Sequence, residues 1–326
     1  MRAVLVDTPG DESAMRLGEA PAPALRAGSI RLRVAATSVN RADLLQRQGL
    51  YAPPPGASEI LGLECAGEVL EVAPGVSGWS PGDRAMALLS GGGYAEEVVV
   101  EAGSALHVPE ALSLEQAGAF CEVFLTAFLH LFELGGLAAS GTALVHGGGS
   151  GVGTAAIQLV KQAGGRIVVT AGSEEKCKRC RELGADVAVN YRSEDFVAVA
   201  REATGGAGVD VVLDSIGAPY FERNLRALAV GGRLVLIGLL GGAKGEIGLG
   251  LLLARRLHVI GSTLRSRSAA EKAALVAAFE ARFGTALERG ALAPVIDRVL
   301  PLDEVAEAHR VMKASEHFGK LVLRVA

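Results

Sequence analysis

The chain has 326 residues, half of them hydrophobic and 43 of them glycine, with a formal net charge of −4. This length favours two domains over one, and the composition excludes a disordered or fibrous protein. The slightly acidic balance gives no electrostatic basis for binding nucleic acid or an anionic membrane.

The first residues and the cysteines indicate the cellular compartment in which the protein is expected. The first residues, MRAVLVDTPGDES, contain no long apolar stretch, so we expect no secretory signal. No apolar run approaches the roughly 18 residues that a bilayer crossing needs. Four cysteines (Cys65, Cys121, Cys177 and Cys180) are too few for a disulfide framework in a chain of this length. We therefore expect a cytoplasmic protein with reduced thiols.

The first 120 residues are strand-like. AVLVD, IRLRVAATSVN, AGEVLEVAPGV and YAEEVVV are separated by turns such as SPGD, a pattern typical of strands joined by Gly/Pro/Asp turns. Helical periodicity is slight. We expect a mostly antiparallel barrel or sandwich.

Residues 142–263 alternate apolar strands with helices. The strands are TALVHG, RIVVTAG, DVAVNY, GVDVVLDSIG, GRLVLIG and LHVIGST. Short Val/Ile/Leu-rich runs separated by helices indicate parallel strands that are buried on both faces. Six of them in this rhythm predict an α/β fold with a doubly wound parallel sheet.

After residue 263 the pattern becomes helical again and ends in one strand. SAAEKAALVAAFEARFGTALERG and LDEVAEAHRVMKAS read as helices, and GKLVLRV reads as a strand that needs a sheet partner. We therefore expect the tail to complete the N-terminal domain. The predicted domains are 1–121 with 264–326, and 122–263 inserted between them.

A glycine turn, HGGGSGVGTAAIQ at 146–158, follows a strand and opens a helix. Glycines in such a turn let the backbone approach a pyrophosphate at the helix N-terminus. The spacing is not a strict GxGxxG, and a tight strand–helix connection is the alternative. The strand–turn–helix context and the five further strands favour dinucleotide binding. No Gly-Lys-Ser/Thr follows, so the turn is not the Walker A loop of nucleoside triphosphatases.

The stretch RIVVTAGSEEK at 166–176 bears on which dinucleotide is bound. A carboxylate about 20 residues after the glycines selects NAD, and this count reaches Gly172 or Ser173. Ser173 suits a helix N-cap, which makes Glu174 and Glu175 first-turn residues favoured by the helix dipole. Lys176 and Arg179 follow, so NADPH is favoured over NADH. A two-residue slip would instead place Glu174 at the ribose and favour NAD.

Several longer stretches carry a family resemblance. They include VNRADLLQRQGLYAPPPGASEILGLECAGEV, GDRAMALLSGGGYAEEVVV, LTAF, SGVGTAAIQL, VTAGSEEK, NY, LDSIG and TLRSRS, between residues 39 and 268. In these the chain resembles the zeta-crystallin-like quinone oxidoreductases of the medium-chain dehydrogenase/reductase superfamily. The resemblance implies a GroES-like, mostly antiparallel β-barrel carrying a Rossmann domain, and a homodimer formed through the last strand of the Rossmann sheet.

The zinc dehydrogenases of that superfamily differ at the metal positions. Asn40 stands where their first cysteine ligand lies, and Gly62-Leu63-Glu64 replaces their Gly-His-Glu. Cys121 lies near a third ligand position, but catalytic zinc needs about three protein ligands. We therefore assign no metal. Without a Lewis acid, alcohol oxidation is harder, whereas hydride donation to a quinone or enone needs no such help.

The resemblance also implies residue roles. Asn40 and Tyr51 would lie on the nicotinamide and substrate side, where the Tyr51 hydroxyl would hydrogen-bond a carbonyl oxygen. Packing of Tyr51 on Pro53–Pro55 is the alternative. The remaining cofactor contacts would come from Thr126, Ser150, Gly151, Val152, Gly153, Ser173, Lys176, Tyr191, Ser215, Gly238, Leu239 and Thr263.

The leading hypothesis is therefore an NADPH-dependent, zinc-independent reductase of a quinone or related conjugated carbonyl. Enone or enoyl reduction uses the same parts. A largely non-catalytic NADPH-binding protein, crystallin-like or RNA-binding, is a third hypothesis. The acidic balance and the missing basic–aromatic patch argue against RNA binding. Two features stay outside these hypotheses: the Cys177-Lys-Arg-Cys180 pair, which reads as structural, and Arg265 and Arg267, which could reach a phosphate or merely solvate a helix start.

Overall fold

The computed structural model describes residues 1–325. The chain forms two compact units, residues 1–125 with 264–325, and residues 126–263. The sequence placed the first boundary after residue 121. The observed division follows Leu125, inside the helix Cys121–Phe128.

The first unit begins with strands that pair almost entirely antiparallel. β1 and β2 form a two-stranded ribbon, and the following strands belong to a larger sheet. The strands are β1 (Arg2–Val6), β2 (Met15–Glu19), β3 (Ser29–Ser38), β4 (Glu64–Val72), β5 (Arg84–Leu88), β6 (Glu97–Glu101) and β7 (Ala105–His107). The helices are α1 (Arg41–Arg47), α2 (Leu114–Ala117) and α3 (Cys121–Phe128).

Helix α1 was not expected from the pattern, because seven residues are too few to show helical periodicity. Its ends explain why it forms. Asn40 is in the extended conformation and its backbone N–H donates to the Asp43 carboxylate at 2.8 Å, one half of a capping box. Such caps satisfy the donors that a helix start leaves unpaired. The site residue Asn40 is thereby held at a helix N-terminus.

The second unit contains six strands and the helices between them. The strands are β8 (Thr142–His146), β9 (Arg166–Ala171), β10 (Val187–Asn190), β11 (Val209–Asp214), β12 (Leu228–Leu236) and β13 (His258–Gly261). The helices are α4 (Gly151–Gln162), α5 (Glu174–Glu182), α6 (Phe196–Ala203), α7 (Phe221–Ala227) and α8 (Leu249–Arg255). All strand pairs are parallel, in the order β10-β9-β8-β11-β12-β13. This confirms the predicted doubly wound sheet.

The tail returns to the first unit. It contains α9 (Ala269–Glu288), β14 (Ile296–Pro301), α10 (Val305–Ala314) and β15 (Lys320–Arg324). β15 pairs antiparallel with β3 and parallel with β14. The ten-residue β3 pairs with β4 along one edge, and its other edge is shared by β6 and β15. The strand GKLVLRV thus finds its sheet partner in the N-terminal domain.

The helices also bear on membrane insertion. Among residues 1–325, none of the helices combines the length and the apolar character that a bilayer crossing demands.

Candidate active site

The glycine turn after β8 is built for a close backbone approach. The Ser150 hydroxyl caps α4 by accepting the Gly153 N–H at 3.0 Å. A Cβ at Gly153 would lie 2.2 Å from the Gly147 carbonyl oxygen, so a larger residue cannot stand there. The first N–H groups of a helix have no intrahelical acceptor. Those of Gly151 and Val152 therefore begin a 12-residue helix as donors suited to a pyrophosphate.

Apart from Thr126 on α3, the sequence-predicted cofactor residues of the second unit follow the carboxyl ends of its strands or begin the next helix. All strands are parallel, so their carboxyl ends share an edge, and the strand order reverses between β8 and β11. Ligands bind outside this edge at such a reversal. The predicted residues that lie one to four positions after the strand ends are Ser150, Ser173, Tyr191, Ser215, Gly238, Leu239 and Thr263.

The ribose end of this edge has the predicted local structure. Ser173 caps α5, its hydroxyl oxygen accepting the Lys176 N–H at 3.2 Å. Glu174 lies in the first turn, and its carboxylate forms an ion pair with Arg181 two turns along the same helix. A Cβ at Gly172 would lie 2.7 Å from the Tyr191 hydroxyl oxygen. The tyrosine therefore packs directly against the turn that precedes Ser173.

A buried polar network supports the loop that carries Ser215. The Asp214 carboxylate accepts the N–H groups of Ile216 at 2.6 Å and Gly217 at 3.2 Å, and the Asn224 amide NH₂ at 2.9 Å. The Asn224 oxygen therefore faces His146 Nε2, 2.7 Å away, and accepts a hydrogen bond from it. Burial lowers the pKa of His146 to about 4, so its ring is neutral.

In the first unit, Asn40 belongs to a buried ionic cluster. Its side-chain oxygen accepts a hydrogen bond from Lys320 Nζ at 2.6 Å, and its NH₂ donates to Glu64 Oε1 at 3.0 Å. Lys320 Nζ also lies 3.0 Å from Glu64 Oε1, with both side chains almost completely buried. A cation on one side and an anion on the other fix the orientation of the Asn40 amide.

Both carboxylate oxygens of Glu64 accept hydrogen bonds. Oε1 also accepts the Ser38 hydroxyl at 2.6 Å, and Oε2 accepts the backbone N–H of Glu122 at 2.9 Å. Burial, and next the nearby Glu64, raise the pKa of Glu122 to about 8, so this second acid is protonated at neutral pH. The protonated Glu122 therefore adds no second carboxylate charge directly beside Glu64.

Lys320 was missed by the sequence reasoning, although a signal was present. It is the one cation between Phe318 and Leu323 in a strand that otherwise reads as apolar. Charged side chains are almost never fully buried unless they are paired. A lysine inside an apolar strand therefore predicts a buried partner, but it does not say which acid.

Tyr51 lies half-buried in the proline-rich loop after α1. Its ring faces the guanidinium of Arg265, with the guanidinium carbon 5.2 Å from the ring centroid. Burial raises the pKa of its phenol. Within the first unit the structure thus gives Tyr51 a cationic neighbour that the sequence left unassigned.

No ready-made metal cluster accompanies these groups. Across the described part of the chain, no three His, Cys, Asp or Glu side chains are grouped as metal ligands would be. Burial, and next Glu64, raise the pKa of the Cys121 thiol well above its usual value.

Two family models match the chain. The model described as "alcohol dehydrogenase GroES-like domain" matches residues 26–110, and the one described as "zinc-binding dehydrogenase" matches residues 151–280. The first match falls in the mostly antiparallel unit and the second covers most of the doubly wound sheet.

Curated relatives decide the family. The human synaptic vesicle membrane protein VAT-1 homolog is 32% identical over 99% of this chain and 86% of its own length. The chain belongs to the medium-chain dehydrogenase/reductase superfamily. Rat quinone oxidoreductase is 29% identical over 99% of this chain and 97% of its own length. A mycocerosic acid synthase-like polyketide synthase of Mycobacterium tuberculosis is 34% identical, but this chain spans only 15% of it.

Solved structures agree with this assignment. A protein described as an NAD-dependent alcohol dehydrogenase superposes with a TM-score of 0.87 at 34% identity, with both chains fully covered. A mycobacterial protein complexed with NADPH gives the same TM-score at 30% identity, again with both chains fully covered. This chain is therefore an oxidoreductase of the superfamily, with the dinucleotide-binding fold in its second unit.

The buried ion pair gives a stability prediction. Lys320→Met leaves Glu64 without its cation, and breaking a buried pair costs about 3–5 kcal/mol. We expect this loss in urea unfolding. The double variant Lys320→Met/Glu64→Gln should regain part of it, because no lone charge then remains buried.

The matched control is Arg324→Met on the same strand, since Arg324 pairs with Glu115 at the surface. Exposed pairs contribute about 1 kcal/mol or less. Equal losses for Lys320→Met and Arg324→Met would contradict the assigned role of the buried pair.

Proposed function

We propose that this protein is an NADPH-dependent, zinc-independent oxidoreductase that transfers hydride to a quinone or related conjugated carbonyl. The observation that carries the proposal is the Lys320 ammonium bound to Asn40 and Glu64. The similarity to a quinone oxidoreductase adds the substrate class.

The ionic cluster opposes zinc at this position. By the resemblance, Asn40 stands where zinc-dependent members have a cysteine ligand, and Leu63 stands where they have a histidine. Leu63 is a buried aliphatic side chain without a donor atom. The Asn40 oxygen and the Glu64 carboxylate are already bound to Lys320. A divalent cation here would meet an ammonium and would have to displace it.

The ribose end favours NADPH. The Ser173 oxygen accepts from the backbone, which leaves its O–H to donate to a phosphate oxygen. Glu174 is neutralised by Arg181, so it need not repel a 2′-phosphate. Lys176 then supplies a positive charge to that phosphate, and Tyr191 lines the adenosine. Ser150, Gly151, Val152 and Gly153 would hold the pyrophosphate, and Thr126 and Asn40 the nicotinamide side.

The reaction itself needs few protein groups. The nicotinamide, when bound, supplies the hydride. A conjugated carbonyl is already electrophilic, so the protein has to orient it and supply one proton. We assign the proton to the Tyr51 hydroxyl, directed at the carbonyl oxygen. Asn40, locked by Lys320 and Glu64, contributes a rigid polar wall.

Enone or enoyl reduction is the second candidate. The observation favouring it is the 34% identity to a segment of a polyketide synthase. Enone reduction would use the same cofactor site and the same proton donor as quinone reduction. The two reactions differ in the substrate atom that accepts the hydride. The activity test below therefore includes both acceptor classes.

The first test is turnover with a panel of quinones and α,β-unsaturated carbonyls, using NADPH or NADH, with bound metal measured on the same sample. We expect oxidation of NADPH by members of this panel and less than stoichiometric zinc. Tightly held stoichiometric zinc, or turnover of simple alcohols, would overturn the proposal. NADPH binding without turnover of any acceptor would point to a binding protein instead.

The cofactor choice gives a second prediction. Lys176→Ala should weaken NADPH binding about 10- to 100-fold, the scale of a lost charged hydrogen bond of about 1–3 kcal/mol. NADH binding should barely change, because NADH lacks the 2′-phosphate. Isothermal titration of both cofactors measures this difference.

Lys178→Ala is the control, because Lys178 lies on the same helix and pairs with Glu182. Its affinities for both cofactors should match the unmodified protein. Equal losses of NADPH and NADH binding in Lys176→Ala would place Lys176 away from the phosphate.

We further propose that two copies associate through β13. This strand ends the sheet order, and Val259 at its centre is 40% exposed. Uncovered sheet edges usually pair or are blocked. Light scattering should give twice the chain mass, and Val259→Lys should give the monomer mass. Val299→Lys, on edge strand β14 of the other unit, is the control and should leave the mass unchanged. A monomeric unmodified protein would contradict this proposal.

A further inference from the structure

Arg265 fastens three segments of the first unit together. Its side chain is only 4% exposed. Nε and Nη2 donate to the Ser90 carbonyl at 3.0 and 2.8 Å, and Nη2 also donates to Gln46 Oε1 at 2.6 Å. Nη1 donates to the Tyr51 carbonyl at 3.4 Å. One guanidinium therefore fixes helix α1, the Tyr51 loop and the glycine-rich loop after β5.

A second buried cation reinforces this arrangement. Lys272, 6% exposed, donates to the Arg265 carbonyl at 3.0 Å and to the Ser90 hydroxyl. The acceptors of Arg265 and Lys272 named here are neutral oxygens. Burying two cations on neutral acceptors is costly unless a nearby group uses their charge. Both side chains line a cavity of about 690 Å³ within the first unit.

The Tyr51 phenol is one of three groups whose charge acts on Arg265, the other two being the acids Asp43 and Glu122. The Arg265 guanidinium carbon lies 5.2 Å from its ring centroid. Burial raises the pKa of Tyr51 most strongly, Arg265 lowers it, and Glu122 raises it. The charged groups facing the phenol are therefore one permanent cation and one acid that is largely protonated at neutral pH. Arg265 is the group that favours the phenolate.

We infer that Arg265 is a positioning residue for Tyr51, holding its loop against α1 and the Ser90 turn and stabilising the phenolate that remains after Tyr51 gives up its proton. The inference rests on the proposed function, in which Tyr51 protonates the acceptor. In that step the Tyr51 O–H bond breaks and an O–H bond forms on the carbonyl oxygen. The two electrons come from the nicotinamide hydride, and solvent returns the proton to Tyr51.

The first test needs neither cofactor nor turnover. The chain has four tyrosines, so the phenolate absorbance of the unmodified protein minus that of Tyr51→Phe gives the titration of Tyr51. The same difference is measured in the Arg265→Gln background. We expect the Tyr51 midpoint to move to higher pH in that background, because the cation that favours the phenolate is gone.

Two further variants separate charge from anchoring. Arg265→Lys keeps a cation but loses the planar fork, so it should keep the midpoint nearer that of the unmodified protein. It also serves if Arg265→Gln does not fold. Arg267→Gln is the matched control: Arg267 pairs with Glu271, and its removal should leave the Tyr51 midpoint in place. An unmoved midpoint in Arg265→Gln, or an equal movement in Arg267→Gln, overturns the inference.

The second test is kinetic. Loss of a general acid typically costs 10²- to 10⁴-fold in rate, and we expect Arg265→Gln to lower kcat about 10-fold or more with KM for NADPH unchanged. Adding Tyr51→Phe to Arg265→Gln should lower kcat little further than Tyr51→Phe alone. Fully additive losses overturn the inference. A protein that reduces no quinone or enone overturns the proposed function instead, whereas the titration still reports on the arginine–phenol pair.

Discussion

The buried contact between Lys320 and Glu64 joins the C-terminal strand β15 to β4, two strands away in the larger sheet of the first unit. Both side chains are withdrawn from water, and an unpaired charge there would cost several kcal/mol. The C-terminal strand, β4 and the cap of α1 are therefore tied to one another through Asn40 and Glu64. The position of Asn40 depends on a residue 280 positions away in sequence.

The same contact matters for the function that we propose. The Lys320 ammonium contacts Asn40, the residue that the resemblance aligns with a cysteine ligand of the zinc-dependent members. The ammonium neutralises Glu64 but cannot polarise a substrate as a metal does. A protonated Glu122 avoids a second negative charge beside Glu64. The electrostatics of the first unit thus support reduction of an acceptor that is electrophilic by itself.

The second unit relies on a different constraint, the parallel direction of six strands. Parallel strands bring all carboxyl ends to one edge, so short turns far apart in sequence meet there. The turn after β8 uses glycine because a Cβ would strike the backbone, and the Ser215 loop is held by a buried carboxylate. The turns at this edge of the second unit are therefore held by backbone geometry and short polar side chains, whereas the first unit contains buried cations.

The sequence by itself determined the doubly wound sheet, the return of the tail to the N-terminal domain, and the helix cap at Ser173. Each depends on local pattern: alternating apolar runs, an apolar strand without a neighbour, and a serine before two glutamates. The zinc argument at Asn40 and Leu63 came instead from the family resemblance, and it stays a prediction. Helix α1 was not predicted, because seven residues are too few to show a helical repeat of apolar positions.

Only the tertiary structure decided which charges meet. Lys320, Glu64 and Asn40 lie in separate strands and a helix start, and Arg265 reaches Gln46, Tyr51 and Ser90 across more than 170 residues of sequence. A sequence pattern records which positions are apolar, but it does not record which buried acid a lysine will face. That pairing follows from the sheet order and register, which bring β15 beside β3 and the tail beside the Tyr51 loop.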